Sequence, residues 1–214
     1  MKNLHYIVIE GPLGVGKTSL ANLLAERLEG ETLLEDVEGH PFLTKFYRNP
    51  RKYAFQTQIY FLLRRYRQVD NIHQMDLFKK VIISDYLFEK DRIFARINLD
   101  DQEFWLYEQL FHLLNRKIVV PDLVIFLQAR TDVLLGRIRK RGRKFERGVH
   151  ADYIDSINQA FNSFFFHYQD SPLLVIDASE IDFVHVPGDL DNLVEQIRNM
   201  EGGTQYYVPL ASRE

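Results

Sequence analysis

The chain has 214 residues, 46% hydrophobic and 27% charged, which fits one α/β domain with a sizeable core and a solvated surface. A net charge of −3 argues against a dedicated duplex-DNA binder, and the absence of cysteine excludes disulfides and thiolate metal sites. No apolar run approaches the ~20 residues of a membrane helix, the N-terminus has no signal-peptide layout, and the seven His show no zinc-like spacing, so a soluble cytoplasmic protein with no membrane or nucleic-acid partner is expected.

In chain order, "LHYIVIE" (4–10) is short, β-branched and apolar, the pattern of a buried strand. A helix follows from Lys17 to about Leu28, with Leu20, Leu23, Leu24 and Leu28 at helical spacing. "TLLE" (32–35) predicts a second strand, and a long helix runs from about Arg51 to Met75. "KVIISD" (80–85) predicts a third strand ending on a carboxylate, followed by helices near 86–97 and 101–116. "PDLVIFLQ" (121–128) and "PLLVID" (172–177) give two more strands, with helices at 131–141, 151–168 and 188–200. Alternation of this kind predicts a five-stranded parallel sheet flanked by helices. One domain is expected over 1–201, with a basic lid at about 136–149 and a tail from 202 to 214 that is loose or docked on a partner.

The strongest signal is "GPLGVGKTS". Gly11, Pro12, Leu13, Gly14, Val15, Gly16, Lys17 and Thr18 fit G-x-x-x-x-G-K-[ST] between a strand and a helix, and Ser19 completes the nucleotide-binding set. Backbone N–H groups of such a loop wrap phosphate oxygens, and the helix N-terminus adds partial positive charge. Lys17 supplies a cation and Thr18 a hydroxyl for Mg²⁺. Asp85, at the end of the third strand, is placed to help hold that ion beside the substrate. The motif implies a bound nucleoside triphosphate and leaves kinase, GTPase and ATP-driven switch open. No N/T-K-x-D guanine motif is present, and a motor or AAA-type ATPase would usually need a longer chain.

A small-molecule kinase also needs an acceptor pocket and a closing basic segment. "GRIRKRGRKFERG" (136–148) supplies the second: Arg137 and Arg141 share a helix face, Gly142 permits a break and Arg143 follows. A solvated basic turn is the competing reading. Glu35 can deprotonate a hydroxyl acceptor, whereas a phosphate acceptor needs arginines instead; a plain surface carboxylate is the alternative. On the long helix Gln58 and Arg65 lie seven apart, about 20° from alignment. They sit in an apolar stripe with Phe55, Leu62 and Val69, and a flat polar group such as a nucleobase would satisfy them. Pairing with neighbours is the alternative, with Asp91 the partner for Arg65.

Together these residues resemble the deoxynucleoside kinase family, especially its bacterial deoxyadenosine/deoxyguanosine branch. The similarity runs from the phosphate loop through "LLEDVEGHPFLTKFYRNPRKYAFQTQIYFLLRRYRQ" and "SDYLFEKDRIFA" to the lid. The resemblance implies a P-loop kinase fold, a homodimer, and transfer from ATP to a deoxynucleoside 5′-hydroxyl. It assigns Glu35 as base, Gln58, Arg65 and Asp91 as readers of the nucleobase, and Tyr47 and Glu146 as holders of the 3′-hydroxyl. Arg137, Arg141 and Arg143 match lid arginines, and Asp182-Phe183 resembles the loop that cradles adenine. Two positions depart from the family. Tyr86 stands where an arginine usually follows the strand-end carboxylate, with Arg92 or a lid arginine as substitute, and Asp36 replaces a proline.

Two rivals remain at this level, beside a structural reading in which the phosphate loop is vestigial. A thymidylate-type nucleoside monophosphate kinase would bind its acceptor phosphate with Arg64, Arg65, Arg92 or Arg96. A nucleotide-binding regulator without turnover would follow if Tyr86 marks decayed catalysis. "QEFWLYEQLFHLL" (102–114) and "FNSFFFHYQD" (161–170) fit either core packing or a dimer face.

Overall fold

The chain runs β1 (Tyr6–Glu10), α1 (Lys17–Arg27), β2 (Glu31–Leu33), α2 (Leu43–Arg48), α3 (Pro50–Ile72) and β3 (Ile82–Ser84). It continues through α4 (Lys90–Asn98), α5 (Asp101–Asn115), β4 (Leu123–Gln128), α6 (Thr131–Arg141) and a 3₁₀ turn at Lys144–Glu146. It closes with α7 (Ala151–Phe166), β5 (Leu173–Asp177), α8 (Pro187–Arg198) and β6 (Thr204–Tyr207). The structure is a computed structural model that describes residues 4–72, 80–115, 118–179, 181, 183 and 186–208.

The sheet has order β2-β3-β1-β4-β5-β6 with every pairing parallel. β1 is buried throughout, as a continuous apolar run demands of a central parallel strand. Its alternate side chains feed two cores. Ile7 and Ile9 join the cluster of Leu20, Leu24 and Leu193, while Tyr6 and Val8 join Phe126, Phe161 and Phe165 on the other face. Phe126 and Phe165 stack at 4.1 Å between ring centroids, and each such buried ring contributes roughly 1.5–3 kcal/mol.

Helix α3 forms a wall over the acceptor side, packed on α2, α4 and α5. Leu62 joins Phe88, Tyr107 and Phe111 there. The two aromatic-rich segments therefore divide: Tyr107, Phe111, Phe161 and Phe165 are core, whereas Trp105, Leu113 and Phe166 are exposed.

The sheet has six strands, where five were expected. Thr204–Tyr207, within the tail expected to be loose, pairs along β5 from Leu173↔Thr204 to Ile176↔Tyr207. Gly202 and Gly203, both at positive φ, turn the chain into it. As an edge strand β6 buries only part of alternate residues, so it carries no apolar signature. β2 ends at Leu33, before Glu35, because the chain leaves the edge once Leu33 has paired with Ser84. Residues 86–89 make a buried turn instead of the first turn of a helix, and α2 appears where no helix was expected.

The strand order sets the site. From β1 the chain passes to β2 and β3 on one side, then to β4 on the other. The crevice at the carboxyl ends, where the order reverses, is where open α/β sheets bind ligands. The phosphate loop lies there.

Candidate active site

The loop is built by close packing. Gly11 has φ +152°, and a Cβ at this position would come within 2.4 Å of the Leu127 carbonyl oxygen. Gly16 precedes α1 at φ 110°, with no side-chain cap and no acidic residue in the first turn. The helix therefore starts with free N–H groups and unopposed dipole. Lys17 folds back on the loop, its Nζ donating to Gly11 O at 2.7 Å and Pro12 O at 3.2 Å. Burial lowers its pKa to about 8, partly offset by Glu10, whose Oε1 is 3.9 Å away.

Glu10 is buried, and each of its oxygens is used. Oε1 accepts from Gly11 N at 2.9 Å and Oε2 from Leu87 N at 2.7 Å. Burial pushes its carboxyl up, opposed by Lys90 and Lys17.

Thr18 Oγ1 donates to Asp85 Oδ2 at 2.5 Å, and Asp85 Oδ1 accepts from Glu35 N at 2.8 Å. Asp85 thus joins the first turn of α1 to the acceptor side. One hydroxyl and one carboxylate, oxygen donors only, suit a Mg²⁺ ion that keeps waters and phosphate oxygens as its other ligands. Among the described residues no cluster of three or more His, Cys, Asp or Glu forms a metal cage.

Glu35 lies in a pocket lined by Lys17, Gln58, Arg65, Lys90 and Arg143 among polar groups, with Leu43, Phe46, Tyr47, Phe61, Phe94, Phe145 and Tyr153 as apolar walls. Its Oε1 accepts from Arg65 Nε at 2.6 Å and also from Nη2, and its Oε2 lies 3.3 Å from Lys90 Nζ. Burial raises the carboxyl, but Arg65 and Lys90 outweigh burial and hold it at about 2. Arg65 also pairs with buried Asp91 and sits 4.7 Å above the Phe61 ring. Gln58 is 3% exposed, and its Oε1 has no hydrogen-bond partner among the described residues. An unpaired buried acceptor on a pocket wall waits for a donor from a ligand.

Arg143, Phe145 and Glu146 line the far side of the pocket. Gly142 ends α6 in the left-handed region at φ 69°, as a break there requires. Arg141 Nη2 then donates to Glu146 Oε1 at 2.6 Å, with Arg143 Nη1 3.9 Å from the same oxygen. Phe145 stacks on Tyr47 at 6.0 Å. Tyr47 and Glu146 therefore meet in the pocket. Arg137 does not line it: its guanidinium donates to Val15 O at 3.1 Å, Ala178 O at 2.8 Å and Ile181 O at 3.4 Å. It braces the phosphate loop from behind. Phe183 packs against the apolar cluster containing Val15 and Ile181, and Asp182 lies outside the described residues.

Tyr86 is fully buried and its hydroxyl has no partner among the described residues. Burial pushes that phenol far up. Arg92 does not replace the missing arginine. It pairs with Glu108 through Nε at 2.8 Å and Nη2 at 2.9 Å, against Phe111. The cation beside Tyr86 is Lys90, 5.8 Å from its ring centroid.

Glu10 and Lys90 were missed from sequence. Glu10 had a signal, as a carboxylate closing an otherwise apolar strand directly before the loop. Lys90, between Glu89 and Asp91, carried no local signal.

A deoxynucleoside kinase family model matches residues 7–200. The chain belongs to the deoxynucleoside kinase family. This kinase is 31% identical over 205 residues to a deoxyguanosine kinase of Bacillus subtilis, covering 94% of this chain and 99% of that one. It is 29% identical over 218 residues to a deoxyadenosine kinase of Lactobacillus acidophilus, covering 92% of this chain and 100% of that one. In structure the kinase is similar to a deoxyadenosine kinase from M. mycoides with bound dATP, at TM-score 0.80 and 26% identity, covering 90% of this chain and 99% of that one.

Proposed function

We propose that the chain transfers the γ-phosphoryl group of ATP to the 5′-hydroxyl of a purine deoxynucleoside, deoxyadenosine or deoxyguanosine, giving the 5′-monophosphate. The observation that carries this reading is the Glu35 carboxylate, held between Arg65 and Lys90 in the same pocket as Lys17. A carboxylate across from a phosphate loop suits a neutral alcohol. A phosphate acceptor would be repelled by it. Of the four arginines that a monophosphate kinase would use, only Arg65 lines the pocket, and two carboxylates neutralise it.

In this reading the loop N–H groups and Lys17 bind the triphosphate. Thr18 and Asp85 would hold Mg²⁺, which supplies charge neutralisation at the phosphates. Glu35 orients the 5′-hydroxyl and takes its proton. Gln58 reads the nucleobase edge beside Arg65 and Asp91, and Tyr47 and Glu146 hold the sugar. Residues 136–149 act as the lid: Arg141 and Arg143 stabilise the transferring charge, and Arg137 supports the loop. The kinase unit extends through β6, with Phe183 beside the adenine of ATP. A homodimer in the cytoplasm completes the reading, supported by the exposed Trp105, Leu106 and Leu113 on α5.

The test is ADP release with the four deoxynucleosides, their ribo forms and their monophosphates. Turnover on purine deoxynucleosides is expected, and turnover on monophosphates alone would overturn the proposal. Glu35→Gln should lose about 10²–10⁴-fold in kcat.

A further inference from the structure

Lys90 opens α4 and is 2% exposed. An ammonium at that depth needs carboxylates around it. It has two: Glu10 Oε2 at 3.7 Å and Glu35 Oε2 at 3.3 Å. They come from distant parts of the chain. Glu10 ends β1 at the phosphate loop, and Glu35 follows β2 in the acceptor pocket. One lysine therefore ties the donor half of the site to the acceptor half.

The two oxygens of Glu35 are not equivalent. Oε1 accepts from both Nε and Nη2 of Arg65, which fills its two lone-pair sites. Among the described residues Oε2 meets only Lys90, at 3.3 Å, and keeps one site open. The geometry leaves Oε2 as the atom able to receive a further proton.

We propose that Lys90 is the positioning residue for Glu35: braced by Glu10, it fixes the carboxylate so that Oε2 faces the substrate hydroxyl. The inference rests on the reading of Glu35 as the group that takes the 5′-hydroxyl proton. In that step the substrate O–H bond breaks and its proton bonds to Oε2. The electron pair left on the 5′-oxygen forms the new bond to the γ-phosphorus. The bond from that phosphorus to the bridging oxygen breaks, and ADP leaves with the pair.

The groups facing Glu35 are Arg65 from α3, Lys90 from α4, Lys17 from α1, Asp85 and Tyr86 after β3, Tyr47 from α2 and His40 before it. Arg65 and Lys90 are the two strongest opponents of burial at Glu35.

The experiment measures kcat and the deoxynucleoside KM at neutral pH, with saturating ATP and Mg²⁺, for the wild type, Lys90→Met and Lys90→Arg. Lys90→Met strands Glu10 as a buried carboxylate, so the double variant E10Q/K90M serves as a second test in which both charges are gone. Both Met-containing variants should lose at least ~10-fold in kcat while the deoxynucleoside KM moves less than about threefold. Lys90→Arg should recover most of the lost kcat. Folding is confirmed by thermal melts. A folded K90M or E10Q/K90M that keeps the wild-type kcat, or whose loss lies in KM alone, overturns the inference. If Glu35→Gln is inactive while that result is seen, the role of Lys90 alone is wrong. If Glu35→Gln turns over at the wild-type rate, the base reading falls and takes the inference with it.

Discussion

Thr18 Oγ1 donates to Asp85 Oδ2 at 2.5 Å, so the first turn of the helix behind the phosphate loop is fastened to the residue that follows β3. In the proposed reading these two oxygens would hold Mg²⁺ beside the phosphate loop. Asp85→Asn weakens the harder of the two ligands. Half-saturating Mg²⁺ in the ADP-release assay should rise about 10–100-fold, with the deoxynucleoside KM nearly unchanged. A metal titration curve that overlays the wild type would remove Asp85 from the ion's shell.

Gln58 is buried with an oxygen unpaired among the described residues, a state that costs the free protein stability. Gln58→Leu replaces that oxygen with an apolar group of similar size. The melting temperature without ligand should stay level or rise. The deoxynucleoside KM should rise roughly 10–200-fold, as expected when a hydrogen bond to a substrate is lost. A large fall in melting temperature would mean that Gln58 has a structural partner instead.

Arg137 spends its guanidinium on three backbone carbonyls, at Val15, Ala178 and Ile181. Arg137→Ala leaves them short of a donor and should cost about 1–3 kcal/mol of stability by denaturant titration. The KM for ATP should rise, because the brace behind the phosphate loop is gone, while the deoxynucleoside KM stays level. An equal rise in both would place Arg137 nearer the reacting groups.

Burial lowers the Lys17 pKa from 10.5 in the unfolded chain to about 8. Between those values the unfolded state binds the extra proton, so the Lys17 contribution to stability grows as pH rises through this window. Below about pH 8 both states are protonated and that contribution is absent. Function runs the opposite way. Above about pH 8 the free enzyme loses the charge that meets the phosphates. Measured kcat/KM for ATP should then fall with pH, approaching tenfold per unit. A profile flat to pH 10 would mean that Lys17 titrates at its ordinary value.

The parts legible in the sequence were those whose chemistry is local. The phosphate loop needs nine consecutive residues between a strand and a helix, and "GPLGVGKTS" shows both. Gln58 and Arg65 stood out because one helix face carries them. The Arg65–Asp91 pair was also legible, as the neighbour pairing that a buried arginine on an apolar stripe requires. What could not be read depends on long-range packing. Lys90 sits among Phe88, Glu89, Asp91 and Arg92 and reads as solvent-facing until β1 brings Glu10 beside it. Arg137 was expected in the lid on helix-face grounds, but α6 aims it at the back of the loop. β6 is short, part-buried on alternate residues and held from one side only, so no apolar periodicity announces it.

Because all six strands run in one direction, the turns that lead into them collect on the rear rim of the sheet. Glu29, exposed and at φ 52°, is one such corner, and exposed Gln169 and Asp170 ahead of β5 are another. Chemistry and handling are thus separated by the thickness of the molecule. A fluorophore, an affinity handle or a surface tether attached at either corner would leave the nucleotide-facing rim unobstructed.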